Sequence, residues 1–398
     1  MRADVRPGAP LRRDAAFLRL WTGATASGLA TWALPFVLGF AVLERSLTAG
    51  GLGVVLAART VGFLVAVPIA GVLADRHPRR RVVAWSGAVA GLATPLLALG
   101  LGRSVVLVAA AATVVGAGQG ACRPGFQALT AEVVAEERRL RANAAMTVAV
   151  RVTTLVAPGL TALLALVVDT RALVVATAVL WWVAALVPPP GAAVVPVAGR
   201  RFSAEFAAGL REARRHPWFV AGLGALTAVI ATGYSATGVV LPLVSSDRYG
   251  TAAVLAAATT AYAVGALGGA VFAARRRSGA RGWTALAGLA CYGFVPVALL
   301  LPVPAVVVVA AYAVAGAGIE LFNVPWFTAA QREVEPAMLA RVSSVDFLLS
   351  YGLAPVGLAL IAPAVAAFGA DAVLAVCAVV CFAAPAAAAL VPSTKDFR

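Results

Sequence analysis

The chain has 398 residues, of which 62% are hydrophobic and only 12% charged. Soluble domains carry about 25% charged residues, so this composition excludes a soluble protein. The formal net charge of +15 raises nucleic acid as a partner, and the placement of the charge excludes it, because the basic residues sit in short loops between long apolar runs.

A membrane-spanning helix needs roughly 20 mostly apolar residues. Twelve such runs are predicted, at 18–43, 50–74, 82–101, 104–131, 143–168, 172–190, 218–245, 251–274, 282–301, 303–328, 342–366 and 371–391. Of the 32 Lys and Arg residues, 24 fall in alternate loops and in the tails, while the opposite loops hold four: Arg45, Arg103, Arg171 and Arg248. Basic residues stay on the cytoplasmic side. Both termini are therefore expected in the cytoplasm, with an even number of spans. The first 16 residues are polar and basic and the run after them is too long for a signal peptide core. The first span is expected to act as its own insertion signal.

The longest polar segment lies mid-chain at 191–217, after Pro188-Pro189-Pro190-Gly191. Within it Phe202, Phe206 and Leu210 recur at helical spacing, with Arg201, Glu205, Arg211 and Arg214 on other faces. This predicts a short amphipathic helix on the membrane surface. The chain is thus expected to divide into an N-terminal six-helix half at 1–190, a linker at 191–217 and a C-terminal six-helix half at 218–398. The halves echo each other. Pro124-Gly125-Phe126 with Glu132-Val133 matches Pro325-Trp326-Phe327 with Glu333-Val334 at an offset of 201, and Ala157-Pro158 matches Ala354-Pro355 at an offset of 197.

Between the second and third runs stands Gly71-Val72-Leu73-Ala74-Asp75-Arg76-His77-Pro78-Arg79-Arg80-Arg81. It resembles the loop between helices 2 and 3 of the major facilitator superfamily, G-x-L-A-D-R-x-G-R-R-x-x-L, with Pro78 in place of the usual Gly and Val83 in place of a larger aliphatic residue. Its counterpart in the second half, Arg275-Arg276-Arg277, has Ala274 where Asp75 stands. The resemblance implies an all-α membrane protein of twelve transmembrane helices in two pseudo-symmetric halves, working by alternating access. The stretch from Arg123 to Leu129, the run Leu140-Arg141-Ala142-Asn143-Ala144, the start Leu18-Arg19-Leu20-Trp21-Thr22-Gly23 and the run from Pro325 to Gln331 resemble the branch of enterobactin exporters, macrolide efflux proteins and related transmembrane secretion effectors. Two motifs depart from the drug–proton antiporters. Gly116 stands where their span 4 has an Arg before Gln119-Gly120, and their span 5 pattern is reduced to Ala157-Pro158-Gly159-Leu160-Thr161-Ala162.

The resemblance assigns Gly71, Asp75, Arg76, Arg79 and Arg80 to a cytoplasmic gate, with span 11 as partner. A carboxylate such as Asp75 is favoured beside a helix N-terminus. Glu132 is expected to pair with Arg79 or Arg80, and Asp346 to join the gate. Five charged residues fall inside runs, away from the residues at their ends: Arg59, Arg123, Arg151, Glu320 and Asp346. Each is costly in hydrocarbon and should face protein or a water-filled cavity. Glu320 is the one acid near mid-depth, which makes it the candidate for proton carriage or for holding a cationic group; a static Glu–Arg pair is the alternative. Trp32, Gln119 and Tyr234, with hydroxyls such as Thr31 and Thr237, are candidates for lining a cavity or for bonding helix to helix.

Absence of a G-x-x-x-x-G-K-[ST] motif excludes ATP-driven pumping by this chain alone, and both histidines, His77 and His216, lie in loops. No enzyme activity, cofactor or metal is expected. The leading expectation is secondary transport energised by the proton gradient, exporting an amphiphilic small molecule such as an antibiotic, siderophore or other secondary metabolite. Arginines outnumber the one deep acid, which points to a neutral or anionic substrate. A non-transporting accessory or sensor protein on the same fold, an importer and a lysolipid flippase remain as alternatives. The expected partners are that substrate and the lipid bilayer, not nucleic acid, for a monomer in a bacterial inner membrane.

Overall fold

The computed structural model describes residues 11–191, 202–251, 253–275, 281–352 and 354–395. Among them it contains helices and turns and no strand. The α-helices are α1 (Ala15–Leu43), α2 (Ala49–Arg76), α3 (Arg79–Gly100), α4 (Val105–Val133), α5 (Arg139–Leu164), α6 (Thr170–Leu186), α7 (Phe202–Arg215), α8 (Pro217–Val229), α9 (Ser235–Asp247), α10 (Ala253–Arg275), α11 (Arg281–Ala290), α12 (Phe294–Leu300), α13 (Ala305–Glu333), α14 (Leu339–Gly352), α15 (Ala354–Phe368) and α16 (Ala370–Ala389). A π-turn at Ile230–Tyr234 joins α8 to α9, and a 3-10 turn at Cys291–Gly293 joins α11 to α12.

Local chemistry sets the starts. Asp14, Thr48, Ser104 and Asp169 cap α1, α2, α4 and α6 by accepting from the backbone N–H three residues on. α1 and α9 continue as helices through Pro35 and Pro242. Ten spans long and apolar enough to cross a membrane occur among the described residues. The run predicted at 172–190 folds as the 17-residue helix α6, and the run at 342–366 falls on α14 and α15, on either side of residue 353. Leu43, Leu92, Val106, Leu360 and Val379 are each more than half exposed. Lipid is the solvent that covers such a surface.

The chain forms two compact units. The first contains Met1–Ala142, Val152–Gly209 and Glu335–Ser344; the second contains Asn143–Arg151, Leu210–Val334 and Val345–Arg398. α5 and α14 therefore each contribute to both.

Lipid tails are as apolar as Leu, so helices in a bilayer associate by close packing rather than by the hydrophobic effect. Glycines supply that closeness in each unit. In the first, α2 packs on α4. A Cβ on Gly62 would strike the carbonyl of Thr113, and one on Gly116 the carbonyl of Arg59. In the second, α10 packs on α13. A Cβ on Gly265 would strike the carbonyl of Ala313, and one on Gly316 the carbonyl of Tyr262. α4 and α13 are both 29 residues long and both carry an internal proline, Pro124 and Pro325. The repeat seen in the sequence is thus also a repeat of local geometry.

The second unit has an aromatic core. Trp326 stacks on Phe219 and Phe322, with ring centroids 4.8 and 5.2 Å away, and meets Trp218 edge-on at 5.4 Å. Gly222 makes room for it, since a side chain there would enter the indole.

Candidate functional site

Three groups of polar side chains stand out, two in the first unit and one in the second. The first group gathers the basic loop. Arg79 is buried, at 5% side-chain exposure, and its Nη1 lies 2.8 Å from Oε1 of Glu132 at 9% exposure. It also donates to the carbonyl of Ala128 at 3.4 Å and to the carbonyl of Pro336. Arg80 is spent on the carbonyls of Pro188 at 2.6 Å and Leu186 at 2.9 Å. Gly71 is required as glycine, because a Cβ there would meet the side chain of Ser344 and the carbonyl of Ala340. Of the two arginines expected for Glu132, the structure gives Arg79. The side chain of Asp75, at the end of α2, lies outside the described residues.

The group has a member the sequence reading placed elsewhere. Glu205 of α7 is 3% exposed. Its Oε2 accepts from Nε of Arg76 at 2.9 Å, and Nη2 of Arg341 stands 3.8 Å from the same oxygen. The buried stripe of α7 runs through Glu205, Gly209 and Ala213, whereas Phe206 and Leu210 are half-buried. Phe206 and Leu210 lie on a neighbouring face, and the side chain of Phe202 lies outside the described residues. Gly209 lets the helix approach Arg341, where a Cβ would collide. The usable signal was the i, i+4, i+8 run of one acid and two small residues.

Asp346 has partners of its own. It is 4% exposed and belongs to the second unit, where its Oδ1 accepts from Nε1 of Trp326 and from Oγ of Ser350, both at 3.3 Å. It anchors the aromatic core.

The second group surrounds Arg59 on α2. Its Nη2 donates to the carbonyl of Thr31 at 2.8 Å and to Oε1 of Gln119 at 2.7 Å. Arg123 stands close enough to act on Arg59 electrostatically. Trp32 follows Thr31 with a buried indole N–H that has no hydrogen-bond partner among the described residues. Arg59, Arg123, Trp32 and Gln119 are thus brought into one neighbourhood.

The third group centres on Glu320, the deepest acid, at 1% side-chain exposure. Arg151 reaches it from α5. Its Nε donates to Oε1 at 2.6 Å, and its Nη2 donates to the same oxygen. Oε2 is buried and has no hydrogen-bond partner among the described residues. Arg151 remains 21% exposed, and its guanidinium lies 5.7 Å from the ring centroid of Tyr262. Beyond it stand Tyr292 and Tyr234, the latter 48% exposed. Gln119 and Glu320 occupy corresponding places in the repeat, at the same offset of 201 that relates Pro124 to Pro325. One copy carries an amide and the other an acid that can hold a proton. Elsewhere in the second unit a further contact is purely neutral: the amides of Asn143 and Gln331 bond reciprocally, at 2.9 and 3.2 Å.

Chemically, the third group is a buried acid paired with an arginine inside a helical membrane protein. The profile of the Major Facilitator Superfamily matches residues 20–354. The chain belongs to the major facilitator superfamily. Solved transporter structures share the fold of this superfamily chain. A bacterial homologue of the iron transporter ferroportin, in its outward-facing state, is 16% identical, with a TM-score of 0.74 over 94% of this chain and 97% of that one. The human organic anion transporter MFSD10 (TETRAN) is also 16% identical, with a TM-score of 0.72 over 96% of this chain and 100% of that one. Among curated proteins, none matches by sequence. The family and the fold make this superfamily chain a multi-pass membrane transporter rather than an enzyme.

Proposed function

We propose that the chain is a proton-coupled secondary transporter that exports an amphiphilic small molecule of neutral or anionic character, such as an antibiotic, siderophore or other secondary metabolite. In this reading it has twelve spans in two six-helix halves (1–190 and 218–398, with the linker 191–217 between them), sits as a monomer in a bacterial inner membrane and keeps both termini in the cytoplasm. The observation that carries the reading is the Glu320–Arg151 pair. In this reading a buried carboxylate whose Oε2 has no hydrogen-bond partner among the described residues alternates between an ion pair with Arg151, which carries no net charge, and a protonated acid beside a guanidinium that keeps its positive charge. Each proton taken up releases the guanidinium's hold, and each proton lost restores it. Asp75, Arg76, Arg79, Arg80, Glu132 and Gly71 form the gate, with Glu205 and Arg341 added. Direction follows the resemblance to exporters at Arg123–Leu129 and Pro325–Gln331.

Mass spectrometry of cells and medium, with and without the chain in its native host, tests this. A compound retained in the deletion strain and released by the parent is the expected result. A compound that the deletion strain fails to take up would reverse the direction, and identical profiles would favour the accessory reading.

A further inference from the structure

We propose that Tyr234, Tyr262, Tyr292 and Tyr312 form an aromatic wall that selects a planar, net-neutral aromatic compound bearing oxygen substituents. The proposal rests on the transporter reading and names the substrate class of its site. The chain has only six tyrosines, none before residue 234, and four of them meet in the second unit. They arrive from four different elements: the π-turn 230–234, α10, the 3-10 turn 291–293 and α13. Tyr292 is 6.3 Å from Tyr234 and 6.5 Å from Tyr262 between ring centroids. Its hydroxyl is 2.9 Å from Oγ1 of Thr237, and Tyr312 lies against the same group.

Two features point to a ligand rather than to packing alone. The helix carrying Tyr234 is broken by a π-turn, which inserts a residue into the hydrogen-bond ladder and re-aims the side chains at its end; such turns concentrate at functional sites. The re-aimed ring is 48% exposed, while Tyr292 and Tyr312 are buried behind it. The second feature is the polarity of the open side. Arg151 lies beside Tyr262 and is itself partly exposed. A guanidinium does not face hydrocarbon, so the space beside Arg151 and Tyr262 is wet.

The chemistry of the wall defines its occupant. Aromatic rings prefer offset or edge-to-face partners, which a planar ring supplies and a saturated skeleton does not. In the ion-paired arrangement of the structure Arg151 and Glu320 cancel each other, so an ionic ligand would leave one charge uncompensated. The donors at hand, phenolic O–H groups and the guanidinium edge, call for carbonyl or hydroxyl oxygens on the ligand.

Binding to the purified full chain in lipid nanodiscs, with empty discs subtracted, tests the wall. The probes are quinizarin, a planar dihydroxyanthraquinone, and androstanol, an alicyclic alcohol of similar size. Quinizarin is expected to bind more tightly than androstanol. Tyr234→Leu and Tyr262→Leu should each weaken quinizarin by about tenfold and leave androstanol unchanged, while Tyr234→Phe keeps most of the affinity. Equal affinity for the two probes, or no loss in Tyr234→Leu, would overturn the proposal. If the chain moves an aliphatic compound in a Glu320-dependent way but ignores quinizarin, the wall fails and the transporter reading stands. If quinizarin binds as described and no compound moves, the wall stands and the transporter reading fails.

Discussion

Glu320→Gln is expected to leave the chain inserted and folded while removing the pH dependence of transport and cutting gradient-driven movement of substrate by about tenfold, within the usual range of coupling between two sites. The substitution keeps size, shape and one carbonyl oxygen. That oxygen still accepts from Arg151, whose Nε sits 2.6 Å from Oε1 in the native protein. The amide cannot take up a proton, so the site is held in one arrangement. Glu320→Ala differs, since it strips the guanidinium of its acceptor and should lower stability as well. Transport measured across pH in vesicles, at matched expression, separates these outcomes. A Glu320→Gln variant with an unaltered pH profile would leave the pair as a packing element between α5 and α13.

Glu132→Ala is expected to cost about 3 kcal/mol of stability, at the lower end of the usual loss when one partner of a buried ion pair is removed. Arg79 is 5% exposed and Glu132 is 9% exposed, so the pair is buried. It retains the carbonyls of Ala128 and Pro336, which offset part of the loss. Unfolding in mixed micelles measures it. Glu132→Gln, which keeps an acceptor, should lose less than half as much. The double variant Arg79→Met with Glu132→Ala should recover stability, because it removes both charges. An equal loss in all three variants would show that the site matters for packing volume rather than for charge.

The helical membrane character was legible in the sequence because apolar runs of span length are a one-dimensional signal, independent of what packs on what. The basic loop was legible for a similar reason, as Arg79 and Glu132 sit at the ends of adjacent helices. Contacts that depend on three-dimensional packing were not. Arg151 and Glu320 are 169 residues apart, and both were singled out as costly charges without being assigned to each other. The bond from Trp326 to Asp346 spans 20 residues and was not anticipated either. Glu205 was hidden because Phe206 and Leu210 dominate the apolar pattern of α7, while the acid packs on the face it shares with Gly209 and Ala213. The correspondence of Gln119 with Glu320 was available in the offset of 201 and needed only to be extended five residues back from Pro124 and Pro325.

The central claim is that the buried acid of the second unit ties substrate movement to a proton. Its most direct test is a pH-sensitive dye sealed inside proteoliposomes holding the purified chain, with a gradient of the compound retained by the deletion strain. The account predicts that imposing the gradient changes the internal pH in the wild type and leaves it constant in Glu320→Gln. Movement of the compound with no change of internal pH in the wild type would contradict it.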